Sequence, residues 1–171
     1  MYGKNPTLTH GLPVTLNQLP KIKRLSQVKP SINDISKFLA TQGPFDWAVT
    51  MNLKKRHPIY QTHITPQIFE QTGWHYLSLT NKALFKRQYR YGHVKLNCVF
   101  CMEIGGLEKR PHLHFAIGNP SNIDKHDVYL KLRNASKKLD WIKGDIDIRP
   151  YQNKGWLNYL LKTGFERVLL G

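Results

Sequence analysis

The stretch Arg110-Pro111-His112-Leu113-His114-Phe115-Ala116-Ile117-Gly118 decides how this chain folds. Its large apolar side chains recur at every second position, the period of a strand with one buried face. Leu113, Phe115 and Ile117 are therefore expected in a core, and His112 and His114 together on the opposite face. Same-face neighbours on a strand stand roughly 7 Å apart at the backbone, close enough for two imidazoles to reach one divalent ion. Two histidines on a solvated face would give the same pattern, and with 8 His in 171 residues chance supplies a His-x-His readily. The neighbours have to decide.

Upstream, His93 to Ile104 reads as a second strand, apolar enough to be central, and Gly105 to Arg110 as the loop that returns the chain antiparallel into Pro111. Glu103 then stands near the histidines. Two imidazoles and a carboxylate leave coordination positions open for substrate oxygens, and the oxygen ligand suits Mg²⁺ or Mn²⁺. Glu108 is the rival ligand, but it lies in the loop between Gly106 and Lys109, and strands hold ligands more rigidly than loops do.

Further out, Phe45 to Lys54 alternates with Trp47, Val49, Met51 and Leu53 on one face and Ala48, Thr50 and Asn52 on the other. Before it, Ser31 caps a short helix to about Thr41 with Ile32, Ile35, Phe38 and Leu39 on one stripe. Between 57 and 80 we expect a short helix from Thr65-Pro66 broken at Gly73, then a basic helix from Thr80 to Tyr91. After the histidine strand come a helix capped by Ser121 with Val128, Leu132, Ala135 and Leu139 inward, a strand from Gly144 to Arg149, and a helix from Lys154 to Lys162. The order strand, helix, strand, strand, helix, strand, helix predicts an α+β fold of ferredoxin- or RRM-like kind, one antiparallel sheet with flanking helices largely on one face. Residues 1–44 form a basic N-terminal arm and short helix, and 45–171 the main domain.

Lys and Arg exceed Asp and Glu, 26 against 11, giving a formal charge of +15. A polyanion is the expected partner, nucleic acid first. No long apolar run and no leader pattern appears, so a soluble cytoplasmic protein with no membrane partner is expected. Cys98 and Cys101 sit three apart in a strand, facing opposite ways, and read as buried free thiols.

The last helix carries Tyr159 and Lys162 on one face. A phenol beside an ammonium is an activated nucleophile for phosphate once a metal polarises the phosphate. Tyr151 with Lys154 repeats the spacing, but follows Pro150 at a strand end where no helical turn orients the pair, so Tyr159 is preferred.

Trp47-Ala48-Val49-Thr50-Met51-Asn52, then Glu103 with Pro111-His112-Leu113-His114, then Tyr159-Leu160-Leu161-Lys162 resemble, in that order, the three motifs of HUH endonucleases, specifically the single-tyrosine Rep proteins of rolling-circle replicons in phages, plasmids and single-stranded DNA viruses. The likeness spans 45–164 and implies an HUH endonuclease fold without a helicase domain. It implies sequence-specific nicking and joining of single-stranded origin DNA through a 5′-phosphotyrosine. Tyr159 would be the nucleophile, Lys162 its assistant, and Glu103, His112 and His114 the ligands of Mn²⁺ or Mg²⁺. Thr50, Asn52, Arg149 and Lys154 would touch DNA, and host helicase and polymerase would be partners in the host cytoplasm. Two other readings stay open: a non-catalytic basic module that binds single-stranded nucleic acid, and an HUH transposase.

Overall fold

The computed structural model describes residues 31–104, 110–152, 155–162 and 168–171. Its elements are α1 (Ile32–Thr41), β1 (Trp47–Asn52), α2 (Pro66–Phe85), α3 (Arg87–Arg90), β2 (Cys98–Ile104), β3 (Pro111–Ile117), α4 (Lys125–Ser136), β4 (Asp147–Pro150), α5 (Gly155–Leu161) and β5 (Val168–Leu170). The expected α+β class holds, as one open sheet of five strands in the order β4-β1-β3-β2-β5 with every pair antiparallel.

The period of two in β1 and β3 splits the sheet into two faces. Val49, Met51, Leu113, Phe115, Ile117, Cys98 and Phe100 enter the larger core, under α2 and α4. Val99, Cys101 and Ala116 enter a smaller core with Ile35 and Leu39 of α1 and Leu157, Leu160 and Leu161 of α5. Helices therefore cover both faces rather than chiefly one. The reason lies in α1 and α5, whose buried stripes are short but apolar enough to need a surface, and the second face supplies it. The two cysteines are free and buried, one in each core, as strand parity requires.

Local signals set most element starts. Ser31 and Asp34 form a reciprocal capping box on α1, and Thr65 Oγ1 accepts from Ile68 N at 3.3 Å with Pro66 in the first turn of α2. Ile35 and Leu39 are buried as the stripe predicts, while Ile32 and Phe38 stay exposed. For α4 the cap is Asp124, not Ser121; its Oδ1 accepts from His126 N at 2.8 Å. A carboxylate is at least as good an N-cap as a hydroxyl and suits the dipole.

Gly73 does not break α2, which runs unbroken for 20 residues. A Cβ there would lie 2.4 Å from Phe100 Cε2, so the glycine is present for close approach of helix and sheet. Gly73→Ala is expected to destabilise by about 1–3 kcal/mol in urea denaturation, despite alanine's better helix propensity. A stabilised variant would mean that the ring yields freely. The strand β5 was not expected; Val168-Leu169-Leu170 is too short for its period to be read. Among the described residues no helix is long and apolar enough to cross a membrane.

Candidate active site

β2, β3 and β1 place their polar residues at one end of the sheet. Register puts Glu103 opposite His112, and His114 between Cys101 and Thr50, all with side chains on the face that α5 covers. Asn52, half-buried, lies on the other side of His112. Leu157, Leu160 and Leu161 anchor α5 on that face at helical spacing, so Tyr159 and Lys162 emerge on its rim above Glu103.

Glu103 is the hub. Its Oε2 lies 2.9 Å from His114 Nε2 and accepts from the Tyr159 hydroxyl at 3.2 Å, and its Oε1 lies 2.8 Å from Lys162 Nζ. Only 8% of the residue is exposed, so the carboxylate needs these three partners. Burial raises its pKa, but the Lys162 hydrogen bond, the nearby His114 and Lys162 charges and the Tyr159 hydroxyl outweigh that and hold it below the usual carboxylate value. Burial tends to lower the Lys162 pKa, and its bonds to Glu103 and Tyr159 reverse this, leaving the ammonium more firmly protonated. That ammonium also sits 3.7 Å above the Tyr159 ring.

The imidazoles are neutral bases. Burial drives His114 down to about 4 against the opposing pull of Glu103, and burial lowers His112 too. A carboxylate only accepts, so His114 Nε2 carries the ring proton, and Nδ1 accepts from Thr50 Oγ1 at 3.1 Å. The two rings lie 5.9 Å apart, and Nδ1 of His112 is buried without a hydrogen-bond partner among the described residues. Trp156 completes the wall: its Nε1 donates to Phe115 O at 3.0 Å, and its ring stacks on Tyr159 at 5.1 Å and meets His114 edge-on at 5.7 Å. Sequence reasoning gave Trp156 no role, although its i, i+3 spacing to Tyr159 put both on one helix face.

Tyr159, Lys162, Glu103, His114 and Thr50 are thus joined by direct contacts, with His112 beside them. Arg149 shares this face of the sheet through its pairing with Ala48, but is exposed and bonded to Asp147 at 2.9 Å. Lys154 and the rival ligand Glu108 lie outside the described residues. Among the described residues no group of three His, Cys, Asp or Glu is arranged to hold a metal ion. The donor chemistry still fits a divalent cation, since two neutral imidazoles and a carboxylate lie at one end of the sheet and His112 Nδ1 has no hydrogen-bond partner among the described residues. No protein-family model, curated protein or solved structure matches this chain.

Proposed function

We propose that this protein is an HUH-type, single-tyrosine endonuclease that nicks and rejoins single-stranded origin DNA, initiating rolling-circle replication. The observation that carries the reading is the contact of the Tyr159 hydroxyl with Glu103, at 3.2 Å, beside the Lys162 ammonium and next to His114. The βαββαβ order from β1 to β4 supports a ferredoxin-like sheet, as that class requires. The charge of +15 supports a nucleic-acid substrate.

In the nicking step the phenol gives its proton to water while the Lys162 ammonium above the ring stabilises the phenolate, and Glu103 stays ionised. The phenolate oxygen forms a bond to phosphorus, and the bond from phosphorus to the 3′-oxygen breaks. That oxygen leaves as a 3′-hydroxyl, taking a proton from the site or from water. The 5′-phosphotyrosine keeps one phosphodiester for another, so a 3′-hydroxyl can reverse the step and join the strand. The free 3′-end primes synthesis by host polymerase and helicase in the host cytoplasm.

Glu103, His112 and His114 would hold Mn²⁺ or Mg²⁺, which would polarise the phosphate and offset its developing charge. For His114 to offer Nε2 as a ligand, its proton must move to Nδ1. Thr50 Oγ1 can accept a hydrogen bond from Nδ1–H as readily as it now donates one to Nδ1, so one hydroxyl serves both tautomers. Thr50 is therefore assigned to orienting this ring, and Asn52, Arg149 and Lys154 to the DNA-facing surface.

The test is incubation with a labelled single-stranded oligonucleotide library and Mn²⁺, read on a denaturing gel. A covalent adduct is expected with Mn²⁺, and none when EDTA is present from the start. Tight binding with no cleavage of any sequence would sink the nuclease reading in favour of a binding module.

A further inference from the structure

Where β1 ends, a groove of about 480 Å³ opens between the 57–62 turn, the first half of α2 and the segment after α4. Backbone bonds tie it to the tyrosine site. Lys143 N donates to Asn52 O and Lys54 N to Trp141 O, both at 2.8 Å, and Asn52 is the register partner of His112. Groove and site therefore share one end of the sheet.

Its centre is His57, only 5% exposed. Nδ1 of His57 accepts the backbone N–H of Ile59 and of Tyr60, each at 3.2 Å, which places the ring proton on Nε2. That Nε2–H has no hydrogen-bond partner among the described residues, and His57 lines the groove. Tyr60 stacks on His57 at 4.7 Å yet is 74% exposed, and Trp141 meets the same imidazole edge-on at 5.0 Å. Lys138 and Asp140 both line the groove, and Lys54-Lys55-Arg56 leads into the turn, so cations outnumber the carboxylate around it.

An aromatic ring held out to solvent, a fixed inward donor and a basic rim are what an unpaired base and its phosphate need. A paired base cannot offer its face. An acidic peptide would use the cations but leave the aromatic ring without a stacking partner. We infer that this groove takes one unpaired nucleotide of the strand held at Tyr159, its base stacked on the outer face of Tyr60 and its phosphate bound by His57 Nε2–H and Lys138. The identity of that strand rests on the nicking reading above. The groove would give the enzyme a subsite in the 57–80 region, outside the HUH-like motifs, that distinguishes single strands from duplex.

The experiment uses the full chain carrying Tyr159→Phe, so that no cleavage intervenes. The probe is a random pool of single strands of about 20 nucleotides, with 5-iododeoxyuridine in place of thymidine. Irradiation is expected to crosslink peptides containing Tyr60 or Trp141. Adding Tyr60→Ala, at an exposed position, should weaken binding of the pool about tenfold and leave binding of duplex DNA unchanged. Crosslinks confined to other surfaces, unchanged affinity, or equal displacement of the strand by a poly-glutamate competitor would overturn the inference. Its failure is separable from that of the nuclease. Tyr60-dependent binding without any wild-type adduct keeps the groove and removes nicking; an adduct with Tyr60-independent binding does the reverse.

Discussion

Tyr159→Phe is expected to abolish the covalent protein–DNA adduct, slowing its formation by about 10³-fold or more, because it removes the oxygen that bonds to phosphorus in the proposed step. The fold should survive. The lost hydroxyl gives up its half-buried hydrogen bond to Glu103, while the ring keeps its stack on Trp156, its edge contact with His114 at 5.0 Å and the Lys162 ammonium above it. Loss of such a bond moves Tm by no more than about 4 °C in a chain of this size. Tyr151→Phe serves as the control. Tyr151 N is bonded to Asp46 O, at the opposite end of β1 from Asn52, roughly 20 Å of strand away. Burial against Phe45 also raises the Tyr151 phenol pKa, which disfavours phenolate. An adduct lost in Tyr151→Phe and kept in Tyr159→Phe would reassign the nucleophile; an adduct kept in both would end the phosphotyrosine mechanism.

Acid is expected to destabilise this protein steeply between pH 6.5 and 4. His114 titrates at about 4 in the folded chain against an ordinary 6.5, and His112 is lowered as well, both through burial. A lowered pKa means that the unfolded chain binds the proton first. The stabilisation is therefore complete above pH 6.5 and lost as pH falls towards 4. Glu103, also lowered, adds a loss of the same sign below its ordinary 4.5. For His114 alone the difference between pH 7 and pH 4.5 amounts to about 2–3 kcal/mol. Urea midpoints at the two pH values measure it, and in His114→Gln most of the difference should vanish. Equal midpoints for the native chain at both pH values would show that the imidazole is not buried in neutral form.

Much of this was legible because it is local. The two-residue period of 111–117 assigns Leu113, Phe115 and Ile117 to a core and His112 and His114 to the opposite face whatever else the chain does, and i, i+3 spacing sets Tyr159 beside Lys162. Ser31 and Thr65 announced their helices for the same reason, since a cap and the N–H it satisfies lie within one turn. Gly73 misled because its role is set by Phe100, a residue on another element that no local signal names. His57 was passed over in the same way: its ring is held by its own turn, but its meaning comes from Trp141, far along the chain.

Sequence by itself thus determined which residues share a face and which groups carry chemistry, for those follow from backbone periodicity and side-chain type. Only the tertiary structure decided that α5 covers the histidine face of the sheet. It also put Glu103 in register with His112 and filled the carboxylate with a tyrosine, a lysine and a histidine from two other elements. A strand's periodicity is blind to which helix will bury its second face. That choice depends on where the remaining apolar surface of the whole chain can be covered at once.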